Sequence, residues 1–172
     1  MNDWRLRLAR VDEASAFHEI ETDAAAALAG QPILLNVPLP PPRTEDEYAS
    51  LIAKRHCLTA LIEDRPVGFA ACMPVGRSLH IAELSVARAH QRRGVGAGLL
   101  RAVGIDALNG GFDALTLNTF REVAFNAPFY ARHGFVEVEN FENWPHLRRS
   151  LDDAVARGMP ADKRIAMVRF LR

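Results

Sequence analysis

Cysteine is scarce in this chain. Its 172 residues hold two, Cys57 and Cys72. They form no C-x-x-C pair, which excludes a disulfide scaffold and a thioredoxin-type redox motif. Both read as small core residues. Net charge is also lacking: 21 Lys and Arg balance 21 Asp and Glu. No global field therefore draws the protein to nucleic acid or to an acidic membrane. Long apolar runs are absent as well; AAAALAG at residues 24–30 is the nearest and is far too short to span a bilayer. The opening segment MNDWRLRLARVDEAS has no apolar signal core. The expectation is a cytoplasmic protein with neither nucleic-acid nor membrane partners. The six histidines show no ligand spacing, so no metal site is expected. What is present, 49% hydrophobic and 24% charged residues, is ordinary globular composition. Residues 1–172 are expected to form a single domain with one core.

Residues 4–9 alternate and predict a first strand. Asp12 or Ser15 is the candidate cap of a helix running to Leu28 and closed by Gly30. Residues 31–43, QPILLNVPLPPPR, hold five prolines and read as a loop. Thr44, followed by three acids, caps a second helix to about Arg55. Three strands follow at 57–62, 67–73 and 79–86, separated by turn residues that predict antiparallel hairpins. A helix over 94–109 closes at Gly110-Gly111. A strand at 114–119, a short helix at 124–133, strands at 135–138 and 165–170, and a partly helical connection between those last two complete the chain. The order β-α-α-β-β-β-α-β-α-β-β predicts an α+β, mixed α/β fold with helices on both faces of one sheet.

The segment HQRRGVGAGLL, residues 90–100, stands out. Glycine costs about 1 kcal/mol against alanine inside a helix, yet Gly94, Gly96 and Gly98 crowd a helix start. A helix N-terminus carries unpaired N–H groups and partial positive charge. Stripped of side chains, it lets a phosphate approach closely, and Arg92 and Arg93 add charge there. The competing reading is a strand-to-helix turn in which Gly94 takes positive φ and the other glycines pack closely. The spacing is neither G-x-G-x-x-G nor that of a P-loop.

Gln91-Arg92-Arg93-Gly94-Val95-Gly96 resembles the Q/R-x-x-G-x-G/A signature of the GNAT family of N-acetyltransferases. NAPFYARHGF at 126–135 resembles that family's later helix and strand. The resemblance covers about residues 65–140. It implies a splayed, mostly antiparallel sheet opening between the strands at 79–86 and 114–119, with acetyl-CoA as co-substrate in the gap. By the same resemblance, Leu84, Ser85 and Val86 flank the pantetheine arm. The backbone of Arg92, Arg93, Gly94, Val95, Gly96 and Ala97 would hold the pyrophosphate. Asn126 and Phe129 would line the opposite wall, and Tyr130 occupies the general-acid position. The base is left between Glu83, His80 and a water chain, because strict alternation puts Glu83 and His80 on opposite faces unless a bulge intervenes. The acceptor side is implied to involve Phe17, His80, Asn118 and Thr119, with the loop at 33–42 as lid, core or oligomer contact. The implied activity is acetyl transfer to a small-molecule primary amine. A protein amine or a longer acyl-CoA is the alternative within the fold, and a non-catalytic CoA-binding module is the alternative outside it. A homodimer is left open.

Overall fold

The computed structural model describes residues 3–172; the first two residues of the segment read for a leader lie outside it. Seven strands form one sheet. They are β1 (Arg5–Leu8), β2 (Leu58–Ile62), β3 (Arg65–Val75), β4 (Ser78–Val86), β5 (Ala114–Phe120), β6 (Val136–Glu137) and β7 (Arg164–Phe170), in the order β1-β2-β3-β4-β5-β7-β6. All pairings are antiparallel except β4 with β5. The helices are α1 (Ala14–Ala29), α2 (Glu45–Ile52), α3 (Val95–Asn109), α4 (Ala127–Ala131) and α5 (Pro145–Ala156). No helix of the described residues is long and apolar enough to cross a membrane.

Local chemistry explains most boundaries. Thr44 caps α2 as expected: its Oγ1 accepts from the Glu47 N–H at 3.2 Å, and its own N–H donates to Glu47 at 2.7 Å. Neither Asp12 nor Ser15 caps α1. A 3-10 turn at Val11–Glu13 leads into the helix, and Glu13 is the cap position. That carboxylate is buried and accepts from Arg7 (2.5 Å), from the Arg10 N–H (2.9 Å) and from Thr59 Oγ1 (2.7 Å). It ties β1, α1 and β2 together. The helix expected over 124–133 shrinks to Ala127–Ala131, because residues 121–126 form turns instead. The connection before β7 contains a full amphipathic helix, α5, which buries Leu147 against Ala114, Ala166 and Val168.

The two faces of the sheet are covered differently. On one face α3 and α4 pack Leu99, Leu100, Val103 and Tyr130 onto Leu79, Ile81, Leu115 and Leu117. On the other, α1 and α2 cover β2–β4 through Phe17, Tyr48 and Phe69, while α5 covers β5 and β7. Phe17 is fully buried and stacks on Phe69 with ring centroids 4.1 Å apart. It is a core residue, and its expected place on the acceptor side is corrected.

One bulge decides the facing of β4. Ala71 pairs with Glu83 but Cys72 pairs with Ile81, so Ala82 is the extra residue. Leu79, Ile81, Leu84 and Val86 all meet the α3 side. Glu83 therefore shares the α1/α2 side with His80.

Candidate active site

β4 and β5 are paired only at Ser78–His80 with Ala114–Thr116. Beyond His80 they part, and the edge of β4 from Ile81 to Val86 has no partner strand on that side. A cleft of about 640 Å³ occupies the opening. It runs between α1, the proline-rich loop, β4, β5 and the start of α4.

At one end lies the glycine turn. Arg92 (φ 60°) and Gly94 (φ 81°) are left-handed, and Gly94 is the cap position of α3 with no side chain capping the helix. The first N–H groups of a fifteen-residue helix are thus left open. Among the described residues Arg92 has no ion-pair partner, while Arg93 pairs with Asp3. The three glycines do three different jobs. Gly94 supplies the left-handed turn. A Cβ on Gly96 would reach only ordinary contact with Phe129 and Val86, at 3.9 Å, so this position leaves room at the start of α3. A Cβ on Gly98 would collide with the Trp4 ring. Gly98 is therefore a packing residue, and Trp4 Nε1 also donates to the Arg93 carbonyl at 3.1 Å. Gln91 uses its amide to donate to the Val86 carbonyl at 2.9 Å, closing the end of β4.

Asn126 and Tyr130 line the cleft from α4. The Asn126 side chain does not cap α4; its Oδ1 accepts from Thr119 Oγ1 at 2.7 Å. Thr119 is buried, lines the cleft as Asn118 does, and holds Asn126 in place with that hydrogen bond. Tyr130 is almost wholly buried, and burial first, then the Glu83 charge, raises its pKa. Its phenol stays protonated at neutral pH and can donate.

Across the gap, the bulge turns Glu83 to the α1/α2 side of the cleft. Its Oε1 accepts from Ser85 Oγ at 2.8 Å and its Oε2 from Arg43 at 3.4 Å. Burial, then the neighbouring Glu21 charge, raises the Glu83 pKa. Glu21 itself is occupied: it accepts from Tyr48 Oη at 2.5 Å and from the Arg43 N–H at 2.8 Å. Asn118 lines the same side, and both polar atoms of its amide are buried without a partner.

His80 is elsewhere. It sits at the closed end of the opening, where Nδ1 lies 3.1 Å from Thr116 Oγ1 and the ring meets His146 edge-on at 5.4 Å. It does not line the cleft. Burial, followed by the charges of His146 and Arg43, pushes its pKa down to about 3. A group that weakly basic is a poor proton acceptor at neutral pH.

The proline-rich loop has a split role. Leu34, with Val37 and Leu39 beside it, packs on Phe120, Val123 and Met159, and Pro40–Pro42 then border the cleft. Leu35 stays exposed. The loop is anchored core on one side and cleft rim on the other.

Residues 53–137 match the family model described as an acetyltransferase (GNAT) domain. This segment belongs to the GNAT acetyltransferase family. Solved GNAT proteins share the whole fold. The ribosomal-protein-S18-alanine N-acetyltransferase of Escherichia coli superposes with a TM-score of 0.71 at 19% identity, covering 98% of this chain and 94% of its own. Ard1 of Thermoplasma volcanium gives 0.69 at 16%, covering 98% and 97%. The PaiA N-acetyltransferase of Thermoplasma acidophilum, solved with coenzyme A, gives 0.70 at 11%, covering 97% and 98%.

Sequence reading located the GNAT motif residues, but Arg43, Arg157 and Arg164 were missed as cleft residues. No motif marks them; only the fold brings the loop, the end of α5 and the start of β7 to one place.

Proposed function

We propose that this GNAT protein transfers the acetyl group of acetyl-CoA to a primary amine of a small molecule by direct attack on the thioester. The observation carrying this reading is the gap itself. It has a phosphate-compatible turn and a protonated tyrosine on the α3/α4 side, and a carboxylate with a raised pKa on the α1/α2 side. A cofactor arm and an acceptor amine then enter from opposite faces and meet between β4 and β5.

The residues fit the donor. Open N–H groups at Val95, Gly96 and Ala97 suit a pyrophosphate, and the unpaired edge of β4 suits the amide-bearing pantetheine as an added strand. Glu83 accepts a proton from the incoming ammonium, directly or through one water. The neutral amine lone pair forms the new C–N bond. A backbone N–H on the open β4 edge stabilises the carbonyl oxygen as negative charge develops. Tyr130 gives its proton to the departing thiolate as the C–S bond breaks. The adduct nitrogen sheds its second proton to solvent as the adduct collapses, leaving a neutral amide; Glu83 then releases its proton to solvent and Tyr130 regains one. The anchored loop bordering the cleft supports a small acceptor over a folded protein terminus.

Calorimetric titration with acetyl-CoA, followed by thiol release against an amine panel, tests the reading. Micromolar binding plus turnover with an amine is expected. Absence of both overturns it, and binding without any thiol release favours a CoA-binding module.

A further inference from the structure

Three guanidiniums border the acceptor side of the cleft: Arg43, Arg157 and Arg164. Arg43 is neutralised by Glu83 and Glu21 at 3.4 and 3.9 Å. Glu47, the remaining acid of the rim, is held in the Thr44 capping box. Arg157 and Arg164 have no carboxylate partner among the described residues. Arg164 is the unusual one. It is drawn into the fold at the start of β7, and its Cζ lies 5.0 Å from the centroid of the buried Phe120 ring. That stacking fixes the plane of the fork. An arginine placed this way with no counter-ion carries an uncompensated desolvation cost. Burial, together with Arg43 and Arg157, lowers its pKa, although Glu83 opposes this.

Asn118 is a second, independent observation. It pairs with Ala166 and Phe120 pairs with Arg164, so Asn118 and Arg164 are diagonal neighbours on one face of the β5–β7 ladder. The Asn118 amide offers a donor and an acceptor and satisfies neither within the protein. Buried amides of that kind normally have partners. An unpaired guanidinium beside an orphan amide suits a ligand carboxylate held in a fork, with the amide NH₂ donating a further bond.

We propose that Arg164, supported by Arg157 and Asn118, is a carboxylate site, and that the acceptor is a small amino acid: its amine meets Glu83 while its carboxylate sits on Arg164. This inference rests on the N-acetyltransferase reading and adds the acceptor class to it. It also fits the way the charges are arranged. With Arg43 set between Glu83 and Glu21, Glu83 faces the cleft as a proton acceptor for an amine, while Arg157 and Arg164 offer unpaired positive charge for an acid.

The test uses the intact chain, acetyl-CoA and matched acceptor sets. Each set holds an amino acid, its carboxamide and its decarboxylated amine; the sets span the common α-amino acids and short β- and γ-amino acids. Thiol release gives kcat and KM. At least one free acid is expected to exceed its amide and amine by roughly 10- to 100-fold in kcat/KM, the range of a charge-assisted hydrogen-bonded pair. Arg164→Leu is expected to remove that preference through KM for the acid, bringing acid and amide within about threefold. Arg164→Lys restores part of it, since it keeps the charge and loses the fork. Equal use of acid, amide and amine overturns the proposal. So does a uniform loss on all three in Arg164→Leu while the acid preference survives in Arg164→Lys and Arg157→Ala. Acetyl-CoA binding with no turnover of any set also overturns it. Neither binding nor turnover means instead that the acetyltransferase reading has failed. If Arg164→Leu does not fold, the Arg164→Lys and Arg157→Ala ratios decide.

Discussion

Replacing Glu83 by Gln removes one proton acceptor and the ion pair with Arg43, and leaves the other local contacts in place. Ser85 Oγ can still donate to the Gln carbonyl, and Arg43 keeps its contacts with Glu21. The size of the effect follows from the acceptor's own acidity. An alkyl ammonium with a pKa near 10 is roughly 0.3% neutral at pH 7.5. Without a base the enzyme works on that fraction alone. The expected loss is about 300-fold in kcat/KM for the amine, or about 3.4 kcal/mol of barrier. Acetyl-CoA binding is expected to stay within about threefold, because Glu83 faces away from the glycine turn. The pH profile carries more information than the rate. Glu83 must be ionised to act, and its pKa is raised, so wild-type activity falls with acidification through a midpoint above the ordinary carboxylate value. In Glu83→Gln that limb disappears, and the rate instead climbs about tenfold per pH unit toward the pKa of the amine. Stability moves the other way. A raised carboxylate pKa means that folding favours the protonated form, so at neutral pH the ionised side chain is a net cost that Gln relieves. Melting temperature is expected to hold or rise while activity collapses. Thiol-release assays from pH 5.5 to 10 and a thermal scan measure both. A variant within threefold of wild type, with the same acid limb, refutes the role of Glu83.

Tyr130→Phe is expected to lower kcat by roughly 10- to 100-fold with acetyl-CoA affinity little changed; an unchanged kcat removes the acid role. Gly98→Ala is expected to cost about 1–3 kcal/mol in urea unfolding, because the new methyl meets the Trp4 ring and either the β1 end or α3 must shift. His80 titrates near 6.5 when unfolded and at about 3 when folded, so the unfolded state binds the extra proton between those values. Stability should therefore fall as pH drops from 6.5 toward 3, and His80→Gln should flatten that slope in urea midpoints taken at pH 7 and 4.5. Glu13→Ala should cost about 2–3 kcal/mol, since it strips charged or buried partners from Arg7 and Thr59.

The parts of the site that depend on local chain geometry were legible in the sequence. A glycine that must take positive φ, a Thr that caps acids, and threonine- and apolar-rich strands between turns announce themselves over a few residues. The bulge was not legible. The face that Glu83 takes depends on Ala82 slipping out of register with β3, and no residue type demands that. What Gly98 packs against was hidden for a related reason: its partner, Trp4, lies more than ninety residues away in the chain. Phe17 looked available because aromatic residues on a first helix can line a cleft, yet its stacking on Phe69 needs the α1–β3 contact to be known. Arg164 was invisible for the same cause, being an unremarked basic residue at a strand start until β5 sets Phe120 beneath it.

The cleft has walls of separate provenance along the chain. Residues 53–137, the part matched to the family model, supply the glycine turn, β4, Asn126 and Tyr130. Glu21, Arg43, Arg157 and Arg164 come from the segments before and after it, brought together by the packing of Leu34 and Val37 on Met159. Drift in the two ends of the chain can therefore retune which amine is admitted while the donor cradle stays untouched. On the acceptor site proposed above, the terminal segments form an exchangeable mould around a fixed seam, and hybrids that swap both ends together are expected to inherit the acceptor preference of the ends.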